Sequence, residues 1–175
     1  MPSRKPDLAL ALIRKLQERD GSGGRPGPLK IVVLGVGSEL RSDDAVGVLA
    51  AKRLGEKKLH GVRCLSGGTA PENFTADVRK ISPTHVLIID SADMGEPPGT
   101  VRMINPADIG GISFGTHALP LGVLAGYLQQ ETGCRVIVIG IQPASLDFGE
   151  QISPAVEAAL DQTVQAVAEA AGALT

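Results

Sequence analysis

The chain has no tryptophan, and only one tyrosine and three phenylalanines among its 175 residues. Aromatic platforms for stacking single-stranded nucleic acid are therefore scarce. The formal net charge is −2, with no basic block, so the electrostatic footprint of a DNA- or RNA-binding protein is missing too. There are two cysteines, Cys64 and Cys134, without metal-finger or redox spacing. A reducing, cytoplasmic compartment is the expectation that follows. No apolar run reaches the roughly 20 residues of a membrane span. The N-terminal stretch Leu8 to Ile13 is short and runs straight into Arg14 and Lys15, unlike a signal peptide. Two catalytic signatures are absent: a G-x-S-x-G nucleophile elbow and an H-E-x-x-H zinc site.

What is present is aliphatic. Hydrophobic residues make up 43% of the chain, enough for one domain with a sizeable core. Asp7 is placed to cap a helix over 8–19, in which Leu8, Leu12 and Leu16 form one apolar stripe. The glycine- and proline-rich stretch 20–28 reads as a linker. Residues 1–29 are thus expected to be an accessory helix tethered to a single α/β domain over 30–175. That domain begins with a strand at 30–36 and a helix from Ser42, an N-cap candidate, to Leu54. A short strand at 62–65 leads into a helix opened by Pro71, and a third strand covers 85–90. The link 91–99 holds Gly95, Pro97, Pro98 and Gly99, too short and too broken for a parallel crossover. The strand at 100–104 should therefore run antiparallel to the third. A loop over 105–118, a helix over 119–131, a strand over 135–140 and an amphipathic helix over 153–171 complete the pattern. The expected fold is a three-layer α/β/α sandwich around a mixed, mostly parallel five-stranded sheet with one antiparallel strand.

The first strand and its turn, Ile31-Val-Val-Leu-Gly-Val-Gly-Ser-Glu-Leu-Arg-Ser-Asp-Asp-Ala-Val-Gly47, organise the rest. Gly35 and Gly37 suggest a dinucleotide loop, but the third glycine of that motif is replaced by Leu40. Asp43 and Asp44 also sit at the helix N-terminus, where a phosphate would bind. They repel an anion and suit a cation, although two such aspartates can also simply complement the helix dipole. Ligands of such sheets bind beyond the carboxyl ends of the strands. That rim should gather Asp43, Asp44, the turn Gly67–Asn73, Asp90, His117, and the loop carrying Gln142, Pro143, Asp147 and Glu150. Carboxylates with an imidazole form a ligand set for a divalent transition metal. Asp93 reads as a solvent-facing turn residue, His85 as the start of a strand, His60 as a loop residue, and the two cysteines as small hydrophobes.

Five segments carry a family resemblance. They are Gly35-Val-Gly-Ser-Glu-Leu-Arg-Ser-Asp-Asp-Ala-Val-Gly47, Gly67-Gly-Thr-Ala-Pro-Glu-Asn73, Ile89-Asp-Ser-Ala-Asp-Met-Gly95, Thr116-His-Ala-Leu-Pro-Leu121 and Ile139-Gly-Ile-Gln-Pro143. In this order and spacing they resemble the hydrogenase maturation endopeptidases, in particular the branch serving hydrogenase-3-type enzymes such as formate hydrogenlyase. The resemblance spans about residues 30–172. It implies an endopeptidase that removes the C-terminal extension of a nickel–iron hydrogenase large-subunit precursor after nickel insertion. The nickel travels with the substrate and serves as the recognition element. Asp44, Asp90 and His117 are the implied catalytic, metal-contacting residues. Gly67, Gly68, Thr69, Glu72, Asn73 and Gln142 are expected to shape a groove for the peptide. Ser38 departs from the family, many members having Asn there. The implied protein is a cytoplasmic monomer that binds no nucleic acid and holds nickel weakly by itself. Two readings stand beside it: a non-proteolytic, nickel-dependent chaperone or scaffold for the large subunit, and a nucleotide-binding α/β domain.

Overall fold

A computed structural model describes residues 7–18, 27–115, 119–149 and 151–175. In chain order its elements are α1 (Leu8–Gln17), β1 (Ile31–Val36), α2 (Val46–Glu56), β2 (Val62–Gly68), α3 (Thr75–Ile81), β3 (His85–Asp93), β4 (Val101–Ile104), β5 (Ser113–Phe114), α4 (Leu121–Thr132), β6 (Arg135–Ile141) and α5 (Pro154–Leu174). The main sheet runs β2-β1-β3-β6-β4, with β5 paired to β3 off this path. β1, β2, β3 and β6 are mutually parallel, and β4 is antiparallel to β6.

The continuous apolar strands carry two cores by simple alternation. Ile31 and Val33 of β1, Leu87 and Ile89 of β3, and Ile137, Ile139 and Ile141 of β6 pack with α1, α2 and α5. Val32, Leu34 and Val36, with Val86, Ile88, Val136 and Val138, pack with α3 and α4 on the other face. This is the expected three-layer sandwich. Asp7 caps α1 by accepting from the Ala9 amide at 3.0 Å. α1 lies on α5 and buries Leu12 and Leu16 in the first core. Most of the expected linker lies outside the described residues.

Four local expectations need correction. The sheet has six strands, because Ser113–Phe114, expected as loop, pairs antiparallel with Ala92–Asp93. The half-buried Phe114 holds it there by packing into the second core. β4 does run against the direction of β3, but its hydrogen-bonded neighbour is β6. β2 continues to Gly68, taking in the first two residues of the expected turn, because pairing with β1 persists through a bulge at Gly35/Val36. Ser42 does not cap a helix. It opens a 3-10 turn, Ser42–Ala45, at φ 44°, and its hydroxyl donates to the Asp147 carbonyl at 3.0 Å.

Candidate active site

The glycines of the first motif are packing residues. A methyl group at Gly35 would strike the Gly47 carbonyl oxygen, and one at Gly47 would overlap the carbonyl oxygens of Val36 and Ile89. α2 therefore begins directly against the ends of β1 and β3, closer than any side chain permits. Gly37, at φ 130°, lets the chain turn beneath the Asp44 carbonyl. This geometry uses the glycines to deliver Asp44 to the middle of the strand ends, and it explains the pattern without a nucleotide.

The two adjacent aspartates part company here, although both are buried. Asp43 accepts from the amides of Ala144 (2.8 Å), Ser145 (3.1 Å) and Ser153 (2.7 Å) and from the Ser153 hydroxyl (2.9 Å). A carboxylate offers about four lone-pair sites, so Asp43 is filled. It fastens the start of α2 to the loop between β6 and α5, and it leaves the ligand set that the sequence suggested. Among the described residues Asp44 accepts two hydrogen bonds, one per oxygen: from the Ser38 amide at 2.9 Å and the Ser91 hydroxyl at 2.8 Å. Half of its acceptor capacity remains for something else. Ser38, the position that departs from the family pattern, thus contributes through its backbone, which any residue supplies.

Asp90 lies inside β3 and is fully buried. It shares the parity of Val86 and Ile88, the side of the sheet that faces α4. Its neighbour Ser91 has the opposite parity and orients Asp44. The turn that carries Asp44 thus packs against the carboxyl-terminal half of β3, bonded to the residue that follows Asp90. His117, the third expected member, lies outside the described residues, as does Glu150. Among the described residues no group of three His, Cys, Asp or Glu side chains could hold a metal ion.

The rim around this point is built as follows. The Gly37 amide donates to the Gly68 carbonyl at 2.9 Å, so the end of β2 adjoins the turn that carries Asp44. Gly67 is buried, Thr69 and Asn73 are exposed, and Glu72 is half-buried. The Glu72 Oε2 atom is enclosed without a hydrogen-bond partner among the described residues. Gln142 works from beneath the surface. Its amide oxygen accepts from the Met94 (2.7 Å) and Glu96 (3.3 Å) amides, and its nitrogen donates to Asp93 Oδ1 (3.2 Å) and the Pro143 carbonyl (3.4 Å). It pins the link after β3 and leaves no part of its amide for a peptide. Across the rim, Arg41 sits 5.7 Å from the centre of the exposed Phe148 ring and donates to the Leu146 carbonyl at 3.0 Å.

The hydrogenase maturation protease family model matches residues 48–170. The chain belongs to the hydrogenase maturation protease family. A relative from Methanocaldococcus jannaschii is 40% identical over 127 residues, 68% of this chain and 75% of its own. The hydrogenase 3 maturation protease of Escherichia coli K12 is 35% identical over 135 residues, 77% of this chain and 86% of its own. The crystal structure of a nickel–iron hydrogenase maturation protease from Thermococcus kodakarensis is 32% identical and superposes with a TM-score of 0.76, covering 84% of this chain and 95% of that one.

Membership in a maturation protease family makes this chain a peptidase and thereby disfavours the non-proteolytic scaffold. No helix among the described residues is long and apolar enough to cross a membrane. Sequence reasoning missed Ser91 and the clasp made by Asp43. Both depend on contacts between segments 47 to 110 positions apart. The only local signal was the serine that follows Asp90.

Proposed function

We propose that this maturation protease removes the C-terminal extension of a nickel–iron hydrogenase large-subunit precursor, and that it recognises nickel already held by that substrate. The observation that carries the reading is the contrast within the acidic pair. Asp43 spends its full hydrogen-bonding capacity inside the protein. Asp44, equally buried and bonded to the neighbour of Asp90 in the chain, keeps half of its own among the described residues. A buried carboxylate with open lone pairs is costly unless a cation or donor arrives, and two carboxylates with an imidazole from His117 suit nickel. A ligand set shared with the substrate keeps the resting enzyme's own hold on nickel weak.

In this reading Asp44, Asp90 and His117 approach the precursor's nickel and fix the scissile peptide near it. Water adds to the scissile carbonyl, the C–N bond breaks, and a proton passes to the departing amine. Two routes supply the attacking water: nickel acting as Lewis acid, or Asp44 acting as general base while nickel only docks the substrate. The turn Gly67–Asn73 borders the path of the peptide. The protein works as a monomer in the cytoplasm.

Substituting Asp44, Asp90 and His117 individually by Ala tests the assignment. Each variant should stay folded and leave nickel-loaded precursor unprocessed on a denaturing gel. Full processing by all three would remove these residues from the mechanism.

A further inference from the structure

β2 is the outermost strand of the parallel side of the sheet, and among the described residues no strand pairs with its outer edge. An unpaired strand is normally protected against adding another chain by charge, a bulge, a proline or a covering helix. Here the protection is charge, and a cavity of about 580 Å³ lies along that edge. Val62–Leu65 of β2 line it in the middle, Leu54 and Gly55 of α2 with Lys58 and Leu59 just after it on one side, and α3 (Asp77, Lys80, Ile81) on the other. α2 and α3 cover opposite faces of the sheet, so the strand edge is recessed between two helical walls.

The cavity is basic although the chain is acidic overall, at net charge −2. Lys58, Arg63 and Lys80 line it against a single acid, Asp77. All three cations are exposed, and none forms an ion pair among the described residues. The strand also leads somewhere. Beyond Leu65 it reaches Gly68 in three residues, about 10 Å at the rise of a strand. There it meets Gly37, one residue before the amide that holds Asp44.

We propose that the outer edge of β2 is a docking site for an extended, acidic segment of the precursor, which adds as a strand beside Val62–Leu65 with its carboxylates facing Lys58, Arg63 and Lys80. Main-chain hydrogen bonds supply the grip and the three cations select the sign of charge. The docked segment then runs toward Asp44 and sets the register of the peptide at the site. This rests on the peptidase reading above for its substrate, but not for its binding chemistry.

The test has two arms. In the first, the ¹⁵N-labelled full chain is titrated with three synthetic octapeptides: a Val-Glu peptide (Val-Glu-Glu-Val repeated, which puts carboxylates on both faces of a strand), its Val-Lys counterpart, and the Val-Glu peptide broken by two prolines. The Val-Glu peptide should shift the amide resonances of Val62–Leu65, and raising NaCl from 0.05 to 0.5 M should weaken it several-fold through screening. The other two should leave those amides unmoved. In the second arm the triple variant Lys58→Glu, Arg63→Glu, Lys80→Glu should lose the peptide. It should also raise KM for nickel-loaded precursor roughly tenfold, the sum of three modest charge contacts, with kcat unchanged within about a factor of two. Equal binding of all three peptides, or shifts caused by inorganic phosphate or ATP and not by the peptide, would overturn the proposal. So would a wild-type KM in the triple variant. Failure of the unaltered protein to cut any precursor would instead count against the peptidase reading, and the peptide arm would still decide the docking site.

Discussion

Asp43 and Asp44 are neighbours of identical chemistry, and replacing each by Asn should separate stability from activity. At position 43, Oδ1 serves the Ser153 amide, while Oδ2 serves the Ala144 and Ser145 amides and the Ser153 hydroxyl. Asn retains the shape but turns one oxygen into a donor. Whichever way the amide is placed, at least one backbone N–H then faces another N–H, and the remaining bonds lose their charge. One orphaned donor plus the weakening of two or three charge-assisted bonds comes to roughly 2–4 kcal/mol. For a chain of this length that is a fall in Tm of about 5–15 °C. At position 44 the accounting differs. An Asn oxygen can keep the Ser38 amide, and the Ser91 hydroxyl can rotate to accept, so the cost should stay below about 1.5 kcal/mol. Thermal unfolding by circular dichroism, run beside a precursor-processing gel, reads both quantities. Asp43→Asn should melt early yet process precursor at temperatures where it is folded, and Asp44→Asn should melt near the parent and process nothing. An Asp43→Asn protein melting within 2 °C of the parent would refute the clasp.

Two further perturbations follow from the same geometry. Gly47→Ala forces a methyl onto the carbonyl oxygens of Val36 and Ile89, backbone atoms that cannot rotate away. The expected loss is about 3 kcal/mol or more, read as a lower urea midpoint, and a parent-like midpoint would contradict the close approach of α2. His85 is buried at the start of β3, and that burial, with Arg135 nearby as a lesser cause, pushes its pKa down to about 4 from 6.5. The unfolded chain therefore binds the proton first as pH falls. Stability is full above pH 6.5 and declines between 6.5 and 4, by up to about 3 kcal/mol from this one group. His85→Gln should flatten that part of the urea-midpoint profile, and an unchanged slope would assign the acid loss to other groups.

Much of this was legible in the chain because it is local. Continuous runs such as Ile31–Val36 and Val86–Ile89 announce strands buried on both faces, and the proline- and glycine-rich link after Asp93 ruled out a crossover. The five spaced motifs pointed to the family that the comparisons show. The separate duties of the two aspartates were not legible, because the groups that fill Asp43 come from 101 to 110 residues away. β5 was not legible either: two residues have no periodicity, and packing of Phe114 holds them. Gln142 looked like a groove residue because amides often meet peptides, whereas its four bonds are internal. The recessed edge of β2 needs the positions of α2 and α3 on opposite faces, which no stretch of sequence displays.

The central claim is a peptidase directed by nickel in its substrate. The most direct measurement is the intact mass of a large-subunit precursor from the same host, incubated with this protein in nickel-loaded and nickel-free form. The account predicts loss of one discrete C-terminal peptide from the loaded precursor and no change in the nickel-free one. Stable binding with unchanged mass, or equal cleavage of both forms, would contradict it.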